Sequence, residues 1–329
     1  MGREGHTGTC VHSVPGPTKQ VGVVTGSSET AAKRDGVFID PERLRSLASR
    51  FGRPVRDALV VIGIGRALWY YVVQGIHPWE WPGLDARAYY QVDLAHPYAE
   101  SGVGVLSTYL YSPAFAQAIS PLWILPWEVF FAVWTVMNLA ILWWLVRPWP
   151  WALGILALPI TYELFMGQVH LLIAAAIVVG FSRPATWALP ILTKITPGIG
   201  LGWFLLRREW RALAEAVVVT GLIVIVSFAL SPTAWFDWIA FLTSSTSRGD
   251  WLFARVAVGV GVVVLASLSG RRWLIPVAVW IALPVVWVES WVILLAIIRL
   301  VRDTRFADSS DDADIAAPVP AGVRSTDLA

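Results

Sequence analysis

In a chain this apolar, the side chains able to do chemistry fall into a few short stretches. Residues 77–109 hold Glu80, Asp85, Asp93 and Glu100, with His77, His96 and many aromatic rings. One carboxylate there suffices to take a proton from an acceptor hydroxyl, provided it lies within hydrogen-bond reach. Aromatics and arginines around it suit sugar rings and phosphate oxygens. The same stretch also reads as a solvated acidic loop, with Trp79 and Trp81 anchored at a membrane boundary. Spacing alone does not choose Asp85 over Asp93.

The remaining candidates lie inside apolar segments, where an ionisable group is costly and calls for a functional account. They are Arg66, Glu163, Lys194, Glu215, Arg255 and Glu289. Arg66 and Arg255 sit close enough to segment ends for their heads to reach water. Glu215 follows Arg211 at helix ion-pair spacing. Glu163 and Glu289 lie near segment ends. Lys194 is the only charge between Arg183 and Arg207, about ten residues from either end. Pro190 and Pro197 flank it and break the backbone ladder, which is tolerated where a cavity is lined. A cation there either meets an anion such as a lipid-linked phosphate or closes a buried pair with Glu163 or Glu289. Gly167-Gln168-Val169-His170 opens another apolar run with two polar side chains. These either start a helix or lend hydrogen bonds to the same cavity.

The elements that must position these groups are membrane helices. Of 329 residues, 56% are hydrophobic and only 15% charged, with 20 tryptophans and a mean hydropathy of +0.61. Soluble domains carry about 25% charge, and tryptophan gathers at membrane boundaries. The expected fold class is all-α, a polytopic transmembrane helical bundle. Apolar segments cover 57–76, 110–127, 129–146, 151–165, 168–181, 185–206, 212–231, 251–269 and 273–300. Basic residues mark the breaks: Arg53/Arg56, Arg147, Arg183, Arg207/Arg208/Arg211, Arg271/Arg272 and Arg299/Arg302/Arg305. The positive-inside rule assigns these to the cytoplasm and leaves 77–109 and 232–250 as outer loops. Parity then requires 110–127, with Pro113, Pro121 and Pro126, to be broken or re-entrant, or Arg147 to be an exception. Segment 185–206 is one span or a hairpin bent at Thr196-Pro197. The count is bracketed at 8–11 membrane segments.

Outside this domain (57–302), residues 1–40 read as a disordered cytoplasmic tail and 303–329 as a disordered acidic one. Residues 41–56 read as a basic juxtamembrane helix, started by Asp40 and Pro41. The first apolar run starts too deep for a secretory signal and is expected to be a retained span. The single cysteine, Cys10, allows no internal disulfide. There is no P-loop, dinucleotide fingerprint or Cys/His metal spacing, so neither cofactor, metal nor nucleic acid is expected, and the evident partner is the lipid bilayer.

Four pieces, in order, carry a resemblance. They are Asp85 with Tyr89 or Tyr90 and then His96-Pro97-Tyr98 after the first span, and Tyr111-Ser112-Pro113-Ala114-Phe115 leading to Ser120-Pro121 and Leu125-Pro126. After these come Gly167-Gln168-Val169-His170, and Lys194-Ile195-Thr196-Pro197 ahead of Arg207-Arg208-Glu209-Trp210. In this order the chain resembles glycosyltransferase family 87, integral-membrane enzymes of the GT-C type, over roughly 57–231. The resemblance implies a GT-C-like fold and a sugar donor of the polyprenyl-phosphate kind (mannose or another hexose or pentose). It also implies a glycolipid or glycan acceptor, reaction on the non-cytoplasmic face of the cell membrane, and inversion without a metal. It selects Asp85 as the base, places Lys194 near the donor phosphate, and leaves Tyr89, Gln168 and His170 to orient sugar or acceptor. Arg248, in Ser244-Ser245-Thr246-Ser247-Arg248, is a second candidate cation. The chain departs from the family pattern at His170, where asparagine is usual, and at Ser112, where the first proline of a pair is usual. Its late Leu283–Trp291 region lacks a histidine pair. Two other functions fit the same segments: a lipid-linked-sugar binding subunit without transfer activity, and a secondary transporter. The transporter is suggested by proline-broken segments and buried charges, but no repeated halves are found.

Overall fold

The computed structural model describes residues 41–75, 77–99, 108–244 and 249–302, with only the backbone for 41–51, 78 and 249–250. The expected tails at 1–40 and 303–329 lie outside the described residues, as does Arg248. The chain divides into two units at Arg50/Phe51, and apart from the extent of the helix that starts at Pro41 everything below concerns the second.

All secondary structure among the described residues is helical. Three helices are long and apolar enough to cross a membrane: Trp127–Val146 (α4), Trp210–Leu230 (α10) and Trp251–Ser269 within α12, Gly249–Ser269. This is an all-α polytopic membrane protein. At 1.5 Å per residue, each helix matches a bilayer core of about 30 Å. α10 is apolar on every side, and only 11% of its spanning window is buried. Val217, Val218, Leu222 and Ile225 point outward, as lipid-facing residues do. α4 begins after Pro126 and ends before Pro148, where proline's missing donor costs a helix least.

The other apolar segments are broken. Segment 110–127 becomes Pro113–Ile119 (α3) and a 3-10 turn at Ser120–Ile124, a broken segment, which is one of the two alternatives parity left open. Segments 151–165 and 168–181 hold the one-turn helix α5 (Ala152–Ile155), then α6 (Ala157–Met166) and α7 (His170–Gly180). α6 and α7 are bent by 107° and count as a fourth span if taken together. Segment 185–206 breaks at Ile195, one residue ahead of the expected Thr196-Pro197, between α8 (Ala188–Lys194) and α9 (Gly202–Leu206). Proline at 197 disfavours helical backbone at Thr196, and Ile195 takes a positive φ of 43°. A β-branched residue there stores about 1–3 kcal/mol of strain. Segment 273–300 is α13 (Ile275–Ile281), a 3-10 stretch at Glu289–Leu295 and α-helix from 296 onward, with an irregular turn holding Pro284 after α13.

Two expected boundaries differ. The helix starting at Pro41 (α1) continues unbroken through Pro54 to Val73, so no backbone break separates 41–56 from the segment after it. Much of the expected outer loop 232–250 is helix, Pro232–Ser244 (α11). Proline at its first position is preorganised for a helix, and Trp235 and Trp238 on one face are buried.

α7 is the axis of the core: Leu171, Ile173, Ala174 and Ile177 are fully buried. It packs on α4, α8 and Glu289–Leu295, while α6 packs on the same 3-10 stretch. Four sequence-distant pieces therefore meet at the α6–α7 bend.

Candidate active site

Asp85 sits on a single helical turn, Leu84–Arg87 (α2), fixed by two glycines. Gly83 caps it at φ +70°, a conformation that costs glycine little, and its N–H donates to the Phe165 carbonyl at 2.7 Å. Gly167, at the α6–α7 bend, has φ +74°, and a Cβ there would lie 2.7 Å from the Ala86 Cβ. Ala86 is fully buried, so the residue beside Asp85 presses directly on the bend. Further bonds pin the following turn: Trp123 Nε1 donates to the Tyr89 carbonyl (3.0 Å), Tyr90 Oη to the Leu125 carbonyl (2.7 Å), and Trp134 Nε1 to the Gly167 carbonyl (2.8 Å).

Behind Asp85 lies a buried polar cluster. Tyr89 and Tyr111 are 3.2 Å apart at their hydroxyls, and both donate to Gln168 Oε1 at 3.4 Å. The Gln168 amide N–H groups thereby remain free of these tyrosines. Half-buried Asp85 is pushed up to about 6, because burial disfavours its charge. Gln168 and the Lys194 ammonium pull it part of the way back.

Glu163 (α6) and His170 (α7) are both fully buried. The bend turns them face to face, with His170 Nδ1 3.0 Å from Glu163 Oε2. Glu163 Oε1 accepts the Leu171 N–H at 2.9 Å, satisfying a donor that the first turn of α7 would otherwise leave bare. Lys194, the last residue of α8, reaches His170 Nε2 at 2.9 Å. Ser290 Oγ approaches the same nitrogen at 3.3 Å, and Glu289 beside it is buried. Lys194 thus meets Glu163 through His170 rather than as a direct pair.

The structure brings together Asp85, Tyr89, Gln168, His170 and Lys194, from four elements. Arg248 lies outside the described residues. Asp93 is exposed, and its carboxyl is held below the usual range, first by the Ala95 N–H at 2.9 Å and then by His96. It lines an open cleft of about 390 Å³ with Arg87, Gln91 and His96, a cleft that Asp85 does not line. Glu215 accepts the Ala185 N–H at 3.2 Å instead of pairing with Arg211, Arg255 Nε donates to the Ile281 carbonyl at 2.9 Å, and Arg66 is exposed. Among the described residues no three His, Cys, Asp or Glu side chains gather as metal ligands would. Tyr111 and Ser290 were not singled out as site residues by the sequence, and Glu163 and Glu289 only as costly carboxylates or partners for Lys194. For the two glutamates the available signal was the cost of a carboxylate in an apolar segment.

The family model of glycosyltransferase family 87 matches residues 109–311, and the chain belongs to that family. It is therefore a membrane glycosyltransferase. The match takes in Gln168, His170, Lys194 and Glu289 and begins after Asp85 and Tyr89. No curated protein and no solved structure matches the chain.

Proposed function

We propose that this glycosyltransferase takes its sugar from a polyprenyl-phosphate donor. It passes the sugar to a hydroxyl of a glycolipid or glycan at the non-cytoplasmic face of the cell membrane. The acceptor O–H gives its proton to Asp85 as its oxygen bonds to the anomeric carbon. The bond from that carbon to the phosphate oxygen breaks, and its electron pair leaves on the lipid phosphate. Attack from the face opposite the phosphate inverts the centre. Lys194 stabilises the charge gathering on the phosphate, the kind of preorganised electrostatic help that often dominates catalysis. Tyr89 and Gln168 orient sugar and acceptor beside the base. No bound cofactor or metal has a part in this scheme.

The observation that carries the reading is Asp85 itself, half-buried on its clamped turn and pushed up to about 6, with the Lys194 charge pulling it part of the way back. At pH 7 it is mostly ionised, yet a stronger base than a solvated aspartate, which suits proton abstraction. The choice of membrane face is supported by α7. The polar cluster lies at its N-terminal end. At its C-terminal end, about 15 Å away along the axis, Arg272 lies over the rings of Phe181 and Trp203, and Arg207 donates to the Ser267 carbonyl. Basic residues of this kind mark cytoplasmic ends.

The test is a transfer assay in membranes containing the chain. Label is expected to move from a polyprenyl-phosphate sugar to endogenous glycolipid or glycan. Transfer directly from a nucleotide sugar, with no lipid-linked sugar present or formed, would overturn the donor assignment.

A further inference from the structure

The buried trio behind the site has a fixed direction. A lysine ammonium donates and cannot accept, so His170 Nε2, 2.9 Å from Lys194 Nζ, is the acceptor. The proton of the neutral ring then sits on Nδ1 and is donated to Glu163 Oε2 at 3.0 Å. Glu163 is held in turn by the Leu171 N–H at 2.9 Å. Each link fixes the next, from the α7 backbone through Glu163 and His170 to Lys194. The end of this chain, Lys194, is the one residue of the three that is not fully buried. The strained Ile195 immediately after Lys194 supplies the other half of the positioning, because it stops the helix with the lysine at its last residue.

We propose that Glu163 and His170 are positioning residues that aim the Lys194 ammonium at the donor phosphate, and so set the enzyme's preference for a phosphate-bearing lipid. His170 is also where the chain departs from the usual asparagine. Asparagine would still reach Glu163 but is too short to bridge to Lys194, so this relay belongs to the particular side chains found here. The inference rests on Lys194 meeting the phosphate, as proposed above.

The experiment measures binding of two lipids of equal chain length, a polyprenyl monophosphate and the uncharged prenol, to the full chain in nanodiscs. His170→Asn is expected to weaken monophosphate binding about tenfold, the scale of a hydrogen bond to a charged group, with prenol binding unchanged. Glu163→Gln, which keeps the shape and replaces the carboxyl by an amide, is expected to cost about threefold on the monophosphate alone. It also serves if the first variant does not fold. His170→Gln, whose amide oxygen stands near the position of Nε2, should restore monophosphate binding to within about threefold of wild type. Equal losses for both lipids, no loss for either, or no rescue by glutamine would overturn the relay. Lys194→Ala separates the two readings. If it abolishes the phosphate preference while the His170 and Glu163 variants keep theirs, only the relay falls. If it leaves the preference intact, the phosphate role of Lys194 falls with it.

Discussion

Asp85 and Asp93 stand eight residues apart in one loop, with aromatics and a basic side chain near each, and their environments are opposite. Asp85 is half-buried on a turn clamped between two glycines and is pushed up to about 6. Asp93 is exposed, bonded to the Ala95 N–H, and held below the ordinary carboxylate range. The difference lies in what packs against each. Asp85 borrows Gln168 and Lys194 from elements about 80 and 110 residues downstream, whereas Asp93 is held only by its own turn. A carboxylate becomes a useful base where burial raises it and a fixed cation keeps it ionised, and only one of the two meets both conditions.

The sharpest way to break this contrast is paired substitution. Asp85→Asn should lower sugar transfer in membranes about 10³-fold, the middle of the range for a lost general base, while Asp93→Asn stays within about twofold of wild type. Lys194→Ala, which removes the cation only Asp85 sees, should cost about 100-fold in kcat/KM measured against the lipid-linked donor. Gly167→Ala puts a methyl group against Ala86 in a backbone that disfavours it. It should lower stability by about 2 kcal/mol, read as a fall in the thermal midpoint in detergent, and reduce transfer without touching the cleft at Asp93. The smallest expected effect is on stability at neutral pH. Folding raises Asp85, so its ionised form is disfavoured in the native state, and its contribution to stability diminishes as pH climbs from about 4 to 6. Asp85→Asn should therefore unfold no earlier than wild type at pH 7. Asp93 is shifted the other way, so Asp93→Asn should unfold slightly earlier.

Much of the framework was legible in the sequence because apolar length and proline position are local signals. The helices at 127–146 and 210–230 follow from uninterrupted apolar runs, and the breaks near 113–126 and 195–197 from prolines. The site was less legible because its geometry comes from tertiary structure. A bend of 107° brings Glu163 onto His170, and the return of Glu289–Leu295 beside α6 and α7 brings Ser290 to the same ring. Nothing in the spacing of Glu163, Lys194 and Ser290 announces that they meet. The choice of Asp85 over Asp93 came from family resemblance alone. The feature that separates the two environments, packing of Ala86 against the Gly167 turn, appears only in the tertiary structure. The loop expected at 232–250 is largely helix because Pro232 starts one and its tryptophans find a buried face.

The central claim is that the base at this site is a carboxylate raised by burial, and the pH dependence of kcat/KM tests it most directly. In wild type and in Asp93→Asn alike, the rate should rise with pH through an inflection near 6 and then level off, lying about tenfold below its plateau at pH 5. An inflection near the ordinary aspartate value of about 4, or one that moves when Asp93 is replaced, would contradict the assignment of Asp85.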